Sequence, residues 1–220
     1  MSIKVSASTN PPKTLEELFE YIKELNKTQV DYIHCEVMDG KFDKAKTFGA
    51  KVVKLINNLT EKTLDVHLMV KHPTFKLKGF VKAGADILTV HFEAYKNKKT
   101  LIKTLQKIRS LGTYAGLSFN PNTPVLEILP YIAYCDMLLV MSVVPGKSGQ
   151  EFMPETLLRL KTINEFIKEQ GFDTQIEVDG GVNKNNVSAL KELNVNSVVV
   201  GNYLYSSSNY KKAVADLKKA

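Results

Sequence analysis

Val30-Asp31-Tyr32-Ile33-His34-Cys35-Glu36-Val37, a helical stretch over Phe48–Leu59, then Thr63-Leu64-Asp65-Val66-His67-Leu68-Met69-Val70: this strand–helix–strand unit decides the fold, because it recurs. Working outward from it, further strands are predicted at Ile3–Ala7, Ile87–His91, Tyr114–Phe119, Met137–Val143, Gln175–Val178 and Ser197–Val200. Amphipathic stretches separate them. Leu15–Leu25 sets Leu15, Leu18, Phe19, Ile22 and Leu25 on one helical stripe, and Phe75–Ala83, Thr100–Leu111, Pro154–Gln170, Lys184–Leu193 and Tyr210–Leu217 read the same way. Pro124–Leu129 is a shorter, weaker helix. Gly84, Gly112 and Gly171 each follow a helical pattern, where a C-terminal cap belongs.

One strand and one helix together take about 27 residues, so 220 residues hold eight such units. No Pro-, Gly- or Ser-rich linker interrupts them. Eight sequential units point to one closed (β/α)₈ TIM barrel over 1–220 rather than an open doubly wound sheet.

Composition narrows the class. At 44% apolar and 24% charged residues the chain is an ordinary globular one, and disorder is excluded. No apolar run approaches the ~18 residues of a membrane helix, and no apolar signal region follows Met1, so a soluble cytoplasmic protein with no membrane partner is expected. Cys35 and Cys135 sit in apolar runs without a CxxC pair, which fits buried thiols in a reducing compartment. The net charge of +7 is nearly all lysine, with Arg109 and Arg159 the two arginines. Lysines spread along helices read as a solvated surface and not as a nucleic-acid interface. Exposed barrel helices often pair, so a homo-oligomer stays open.

A barrel places its chemistry at the C-terminal ends of the strands. Side chains alternate along a strand, so His34, Glu36 and Met38 share one face, as do Asp65, His67 and Met69. His91 stands two residues before Glu93, and Glu177 and Asp179 directly precede Gly180-Gly181. Singly, each has a structural reading: a core histidine, a helix cap, a core methionine. Two histidines and two carboxylates converging on one mouth would be costly to bury without a role. Such a set suits Zn²⁺ or another divalent ion, with Fe²⁺, Mn²⁺ and Co²⁺ as alternatives. Two carboxylates flanking a carbon beside a polarised carbonyl would move a proton from one face to the other, the task of an epimerase or isomerase. Met38, Met69 and Met141 would line it with adaptable apolar surface.

The loops after strands seven and eight, Asp179-Gly180-Gly181 and Val200-Gly201-Asn202, are where barrels bind phosphate through backbone N–H groups. Pro145-Gly146-Lys147-Ser148-Gly149-Gln150 reads as a third phosphate element and a lid. It is not a nucleotide P-loop, because position 141 is Met where that motif needs Gly.

At these residues the sequence resembles the ribulose-phosphate 3-epimerase family along essentially the whole chain. The resemblance rests on Ser6, His34 through Phe42, Asp65 through Val70, His91 with Glu93, and Asn120-Pro121-Asn122-Thr123-Pro124. It continues through Met141 to Phe152 and Glu177 to Gly181. It implies a ribulose-phosphate-binding barrel that interconverts D-ribulose 5-phosphate and D-xylulose 5-phosphate at C3 with a divalent metal. The implied metal ligands are His34, Glu36, His67 and Asp179, with Glu36 and Asp179 as the acid/base pair. Ser6, Met38, His67, Met69 and Met141 are implied substrate contacts, alongside Gly146, Ser148, Gly149, Gly180, Gly181, Gly201 and Asn202 for the phosphate.

The chain departs from the family pattern in three places: Glu36 replaces Asp, Lys147-Ser148 replaces Phe-Gly, and Asn202 replaces Ser. The extra methylene of Glu36 shifts its carboxylate by about 1.5 Å. Two rival readings are an epimerase of another ketose phosphate, such as a ketohexose 6-phosphate, and a sugar-phosphate-binding barrel without turnover. A decarboxylase of the orotidine type would need D-x-K-x-x-D, and Asp65 through Val70 lacks both the Lys and the second Asp.

Overall fold

The computed structural model describes residues 2–146 and 149–220. Eight strands close into one barrel in chain order: β1 (Lys4–Ser8), β2 (Tyr32–Met38), β3 (Thr63–Met69), β4 (Ile87–His91), β5 (Tyr114–Phe119), β6 (Met137–Met141), β7 (Gln175–Asp179) and β8 (Ser197–Val200). Every neighbouring pair is parallel, including the closing pair β1–β8. The helices are α1 (Leu15–Asn26), α2 (Ala50–Asn57), α3 (Leu77–Lys82), α4 (Lys98–Ser110), α5 (Val125–Ile128), α6 (Thr156–Gln170), α7 (Val187–Glu192), α8 (Asn202–Tyr205) and α9 (Tyr210–Lys219). None of the helices described is long and apolar enough to cross a membrane.

Local sequence explains the boundaries. Thr14 caps α1 by accepting from the Glu17 amide, and Gly171 closes α6 in the left-handed conformation (φ 66°). The predicted helix from Phe75 starts later, because Pro73–Phe75 forms a separate 3₁₀ turn that leaves Phe75 91% exposed. Strand β6 stops at Met141, two residues short of the predicted Val143, and β7 runs one residue further, to Asp179. The four-residue helix α8 after β8 lay outside the predicted elements.

Alternation sorts the strand residues into two cores. Outward-facing side chains such as Ile33, Val66, Leu88, Leu117, Leu138 and Val198 pack beneath the helices in one large cluster. Inside the barrel, Tyr32, Ile87 and Met137 plug the N-terminal end, and Leu139, Met141, Val143 and Val199 form a smaller cluster toward the mouth. Between them the interior is polar, with Ser6, His34, Asp65, Thr89, Glu177 and Ser197 all fully buried. Cys35 and Cys135 are free, buried thiols whose ionisation burial disfavours.

Candidate active site

Parallel register decides which residues meet at the mouth. His34 pairs with Asp65, Glu36 with His67 and Met141 with Asp179 across neighbouring strands, and the barrel's curvature brings β7 toward β2 and β3. His34 Nε2 lies 3.3 Å from His67 Nδ1 and 3.7 Å from Asp179 Oδ2, and His67 Nδ1 lies 3.8 Å from the same Oδ2. A triangle of these sides has its centre about 2.1 Å from each corner, which is the bond length of Zn²⁺ and similar ions to imidazole and carboxylate. The three side chains are buried, Asp179 retaining 13% exposure. The donor set therefore fits a divalent cation. His34 supports the fit from behind: its Nδ1 hydrogen-bonds Asp65 Oδ2, which leaves Nε2 for the site, the usual arrangement of a metal-binding histidine.

Glu36 stands apart from this triad. Its Oε1 accepts a hydrogen bond from Ser8 Oγ, and Ser8 in turn accepts from the Asn10 amide at 3.1 Å. Thr9 ties the same turn to β2, donating to His34 O at 3.0 Å and accepting from the Glu36 amide at 3.2 Å.

A cavity of about 240 Å³ opens above the triad. Its wall holds Glu36, Asp179, Met69 and Met141, with Gly146, Gly149, Gly180, Gly181, Gly201 and Asn202 on the phosphate side. Three predicted contacts lie off that wall, one of them His67, which is fully buried in the triad. Ser6 is fully buried inside the barrel with no hydrogen bond to its hydroxyl among the described residues, and Ser8, two residues further along the same face, takes the place on the cavity wall. Met38 is buried outside that wall. Ser148 and Lys147 lie outside the described residues. Gly180 (φ 124°) and Gly181 (φ 64°) need their missing side chains: a Cβ would stand 2.5 Å from Val143 Cγ2 at the first and 2.3 Å from the Phe152 amide at the second.

Burial and crowded charge set the protonation of the site. Burial lifts the Asp179 carboxyl to about 7, with Glu36 and Asp65 adding to the rise and His34 opposing it. Glu36 is raised by burial against the pull of His34 and Ser8. Burial opposes charge on His34, but the Asp65 carboxylate and its hydrogen bond outweigh it and hold the imidazole up to about 10. His67 moves the other way: burial, then His91 and His34, push it well below its ordinary value. The Glu177 carboxyl is raised well above the usual carboxylate range, first by burial and then by Asp65. Two carboxyls whose hold on a proton burial strengthens, facing one cavity beside a cation-sized triad, form equipment for taking a proton from carbon and returning it.

The chain is similar to known proteins along most of its length. Residues 4–205 match the model of the ribulose-phosphate 3-epimerase family. The ribulose-phosphate 3-epimerase of Synechocystis is 42% identical over 204 residues, covering 92% of this chain and 88% of that protein, and the one of Bacillus subtilis is 40% identical over 198 residues, 90% of each. Among solved structures, KGPDC from Streptococcus mutans superposes with a TM-score of 0.74 at 14% identity over 100% of this chain and 97% of that one, a likeness of fold. A closed barrel with a histidine–carboxylate mouth, a family match across nine-tenths of the sequence and relatives at about 40% identity lead to one conclusion: the chain belongs to the ribulose-phosphate 3-epimerase family.

Proposed function

We propose that the chain interconverts D-ribulose 5-phosphate and D-xylulose 5-phosphate, with Glu36 and Asp179 as the pair that exchanges the C3 proton. The observation that carries this is the placement of both carboxylates, from β2 and β7, on the wall of one cavity. One carboxylate takes the C3 hydrogen as a proton, leaving the electron pair shared between C3, C2 and the carbonyl oxygen. The other, in its acid form, delivers a proton to the opposite face of C3, and the configuration inverts. The Asp179 carboxyl at about 7 suits either half of this exchange.

His34, His67 and Asp179 would hold the divalent cation, while Glu36, which the family resemblance implies as a fourth ligand, stands apart from them with its carboxylate on Ser8. Zn²⁺ fits this donor set, and Fe²⁺, Mn²⁺ and Co²⁺ share its preference for imidazole and carboxylate. When bound, the cation supplies positive charge for the oxygens of the deprotonated sugar. Gly180, Gly181, Gly201 and Asn202 would receive the phosphate through backbone and amide N–H groups, with Gly146 and Gly149 beside it. Met69 and Met141 keep the reacting carbon against apolar surface. The buried free thiols of Cys35 and Cys135 support a reducing, cytoplasmic setting.

The test is proton NMR of D-ribulose 5-phosphate in D₂O with Zn²⁺-loaded protein. Loss of the C3 hydrogen together with xylulose 5-phosphate is the expected result. Exchange without inversion would mean that one carboxylate alone turns over. No exchange, with turnover of a ketohexose 6-phosphate instead, would move the assignment to the longer sugar, and tight phosphate binding without any exchange would leave a binding barrel.

A further inference from the structure

His91 ends β4 and Glu93 lies in the 3₁₀ turn that follows it, Phe92–Ala94, and the proton transfer proposed above uses neither. His67 presents Nδ1 to the triad, and its other nitrogen, Nε2, lies 2.7 Å from His91 Nε2. The two rings are within 16° of coplanar with centroids 4.8 Å apart. A 2.7 Å contact between nitrogens is closer than ring faces approach and fits a hydrogen bond in the plane of both rings, so one nitrogen carries hydrogen and the other a lone pair.

Which is which follows from the far side of His91. Its Nδ1 lies 3.2 Å from Glu93 Oε2. The other Glu93 oxygen accepts from the Asn120 amide at 2.8 Å and from the Thr123 hydroxyl, and Arg159 Nη2 fixes the same loop by donating to Asn120 O at 3.1 Å. A carboxylate held by donors on one oxygen takes a donor on the other, so His91 Nδ1 carries hydrogen. In its neutral form, the form that can accept from His67, His91 has one N–H. His91 Nε2 is then bare and accepts from His67 Nε2–H, and His67 Nδ1 is left with its lone pair facing His34 and Asp179. Phe42 packs on the His91 ring at 4.7 Å and covers the bond.

We propose that Glu93 and His91 are positioning residues that fix His67 in the Nε2–H tautomer and so keep its Nδ1 open as a cation ligand. His34 reaches the same condition by a shorter route, with Asp65 taking its Nδ1 directly. The two ring nitrogens of the triad are thus each aimed by a carboxylate, one at first hand and one through a second imidazole. The effect on cation affinity rests on the cation site proposed above; the tautomer does not.

The experiment uses full-length, metal-free protein labelled with ¹⁵N at histidine. Long-range ¹H–¹⁵N correlation spectra near neutral pH identify the bare nitrogen of each ring. Expected are a bare Nδ1 and protonated Nε2 on His67, and the reverse on His91. Glu93→Gln offers His91 either a carbonyl or an amide, so His67 should become a mixture of tautomers. Zn²⁺ affinity, read by competition with a chromophoric chelator, should weaken about 10- to 100-fold. A purely structural role for Glu93 would lower stability and leave the tautomer alone.

Hydrogen on His67 Nδ1 in the wild type overturns the proposal, as does a folded Glu93→Gln protein with the wild-type tautomer and Zn²⁺ affinity. The wild-type spectrum needs no variant, so the test survives a substitution that does not fold. A bare His67 Nδ1 in a protein that takes up no Zn²⁺ overturns the cation site and upholds the relay.

Discussion

At the foot of the barrel Tyr32, Ile87 and Met137 fill the interior with apolar surface, and Lys4 Nζ donates to Tyr32 OH at 2.5 Å to finish the plug. At the mouth the same three strands, four residues further on, present Glu36, His91 and Met141, joined by His67 from β3 and Asp179 from β7. The foot gains its stability from burial of carbon. The mouth gives stability up, because it holds carboxyls and imidazoles out of water, and burial is the largest influence on the protonation of Glu36, Asp179 and His67. One architecture thus divides its labour along the barrel axis, with the foot paying for the mouth.

Substitutions at each end should separate stability from chemistry. The largest effect on turnover is expected from Asp179→Asn: kcat falls by about 10²- to 10⁴-fold, while the melting temperature of metal-free protein holds or rises, since a buried carboxylate is replaced by a neutral group. Steady-state kinetics paired with calorimetry checks both, and a large loss of Tm would break the division between the two ends. Met137→Ala is the mirror case. It should cost about 2–5 kcal/mol in denaturant unfolding and leave kcat within about twofold. A catalytic defect there would mean that the plug sets the geometry of the mouth.

Two finer measurements sharpen the comparison within the mouth. Ser8→Ala removes the hydroxyl that helps hold Glu36 ionised, so the Glu36 carboxyl rises further. A base must be ionised to take a proton, so the acidic limb of the kcat/KM profile should move to higher pH, with a drop of about tenfold at neutral pH. The smallest effect concerns Glu93. His91, Thr123 and Asn120 overcome the burial of its carboxyl and hold it down to about 2, against an ordinary 4.5. The folded state therefore binds fewer protons than the unfolded one in that window, and the stability contributed is complete above about 4.5 and is lost as pH falls toward 2. Metal-free wild type should show this acid loss in urea titrations, and Glu93→Gln should lack that part of it.

Much of the site was legible because strand side chains alternate. His34 with Glu36, Asp65 with His67 and Glu177 with Asp179 could be assigned to one face before any neighbour was known. The family resemblance pointed to Ser6 and passed over Ser8, which lies on the same face; only the height of β1 in the barrel places Ser8 beside Glu36 and Ser6 beneath it. Ser8 also accounts for how the longer Glu36 side chain is held: its carboxylate reaches the Ser8 hydroxyl instead of joining the triad. Met38 is off the cavity wall although it shares a face with Glu36 and ends its strand just as Met69 and Met141, which line the wall, end theirs.

The sequence by itself determined the eight alternating units, the inward face of each strand, the glycine loops and the family, because those depend on period, local backbone preference and ordered motifs. The tertiary structure decided which inward residues from different strands touch. That choice rests on the stagger between parallel strands, which no single strand encodes. It brings His67 against His91 and His34 against Asp65, so two similar histidines are held in opposite ways: one drawn toward charge by a carboxylate, the other kept neutral beside imidazoles.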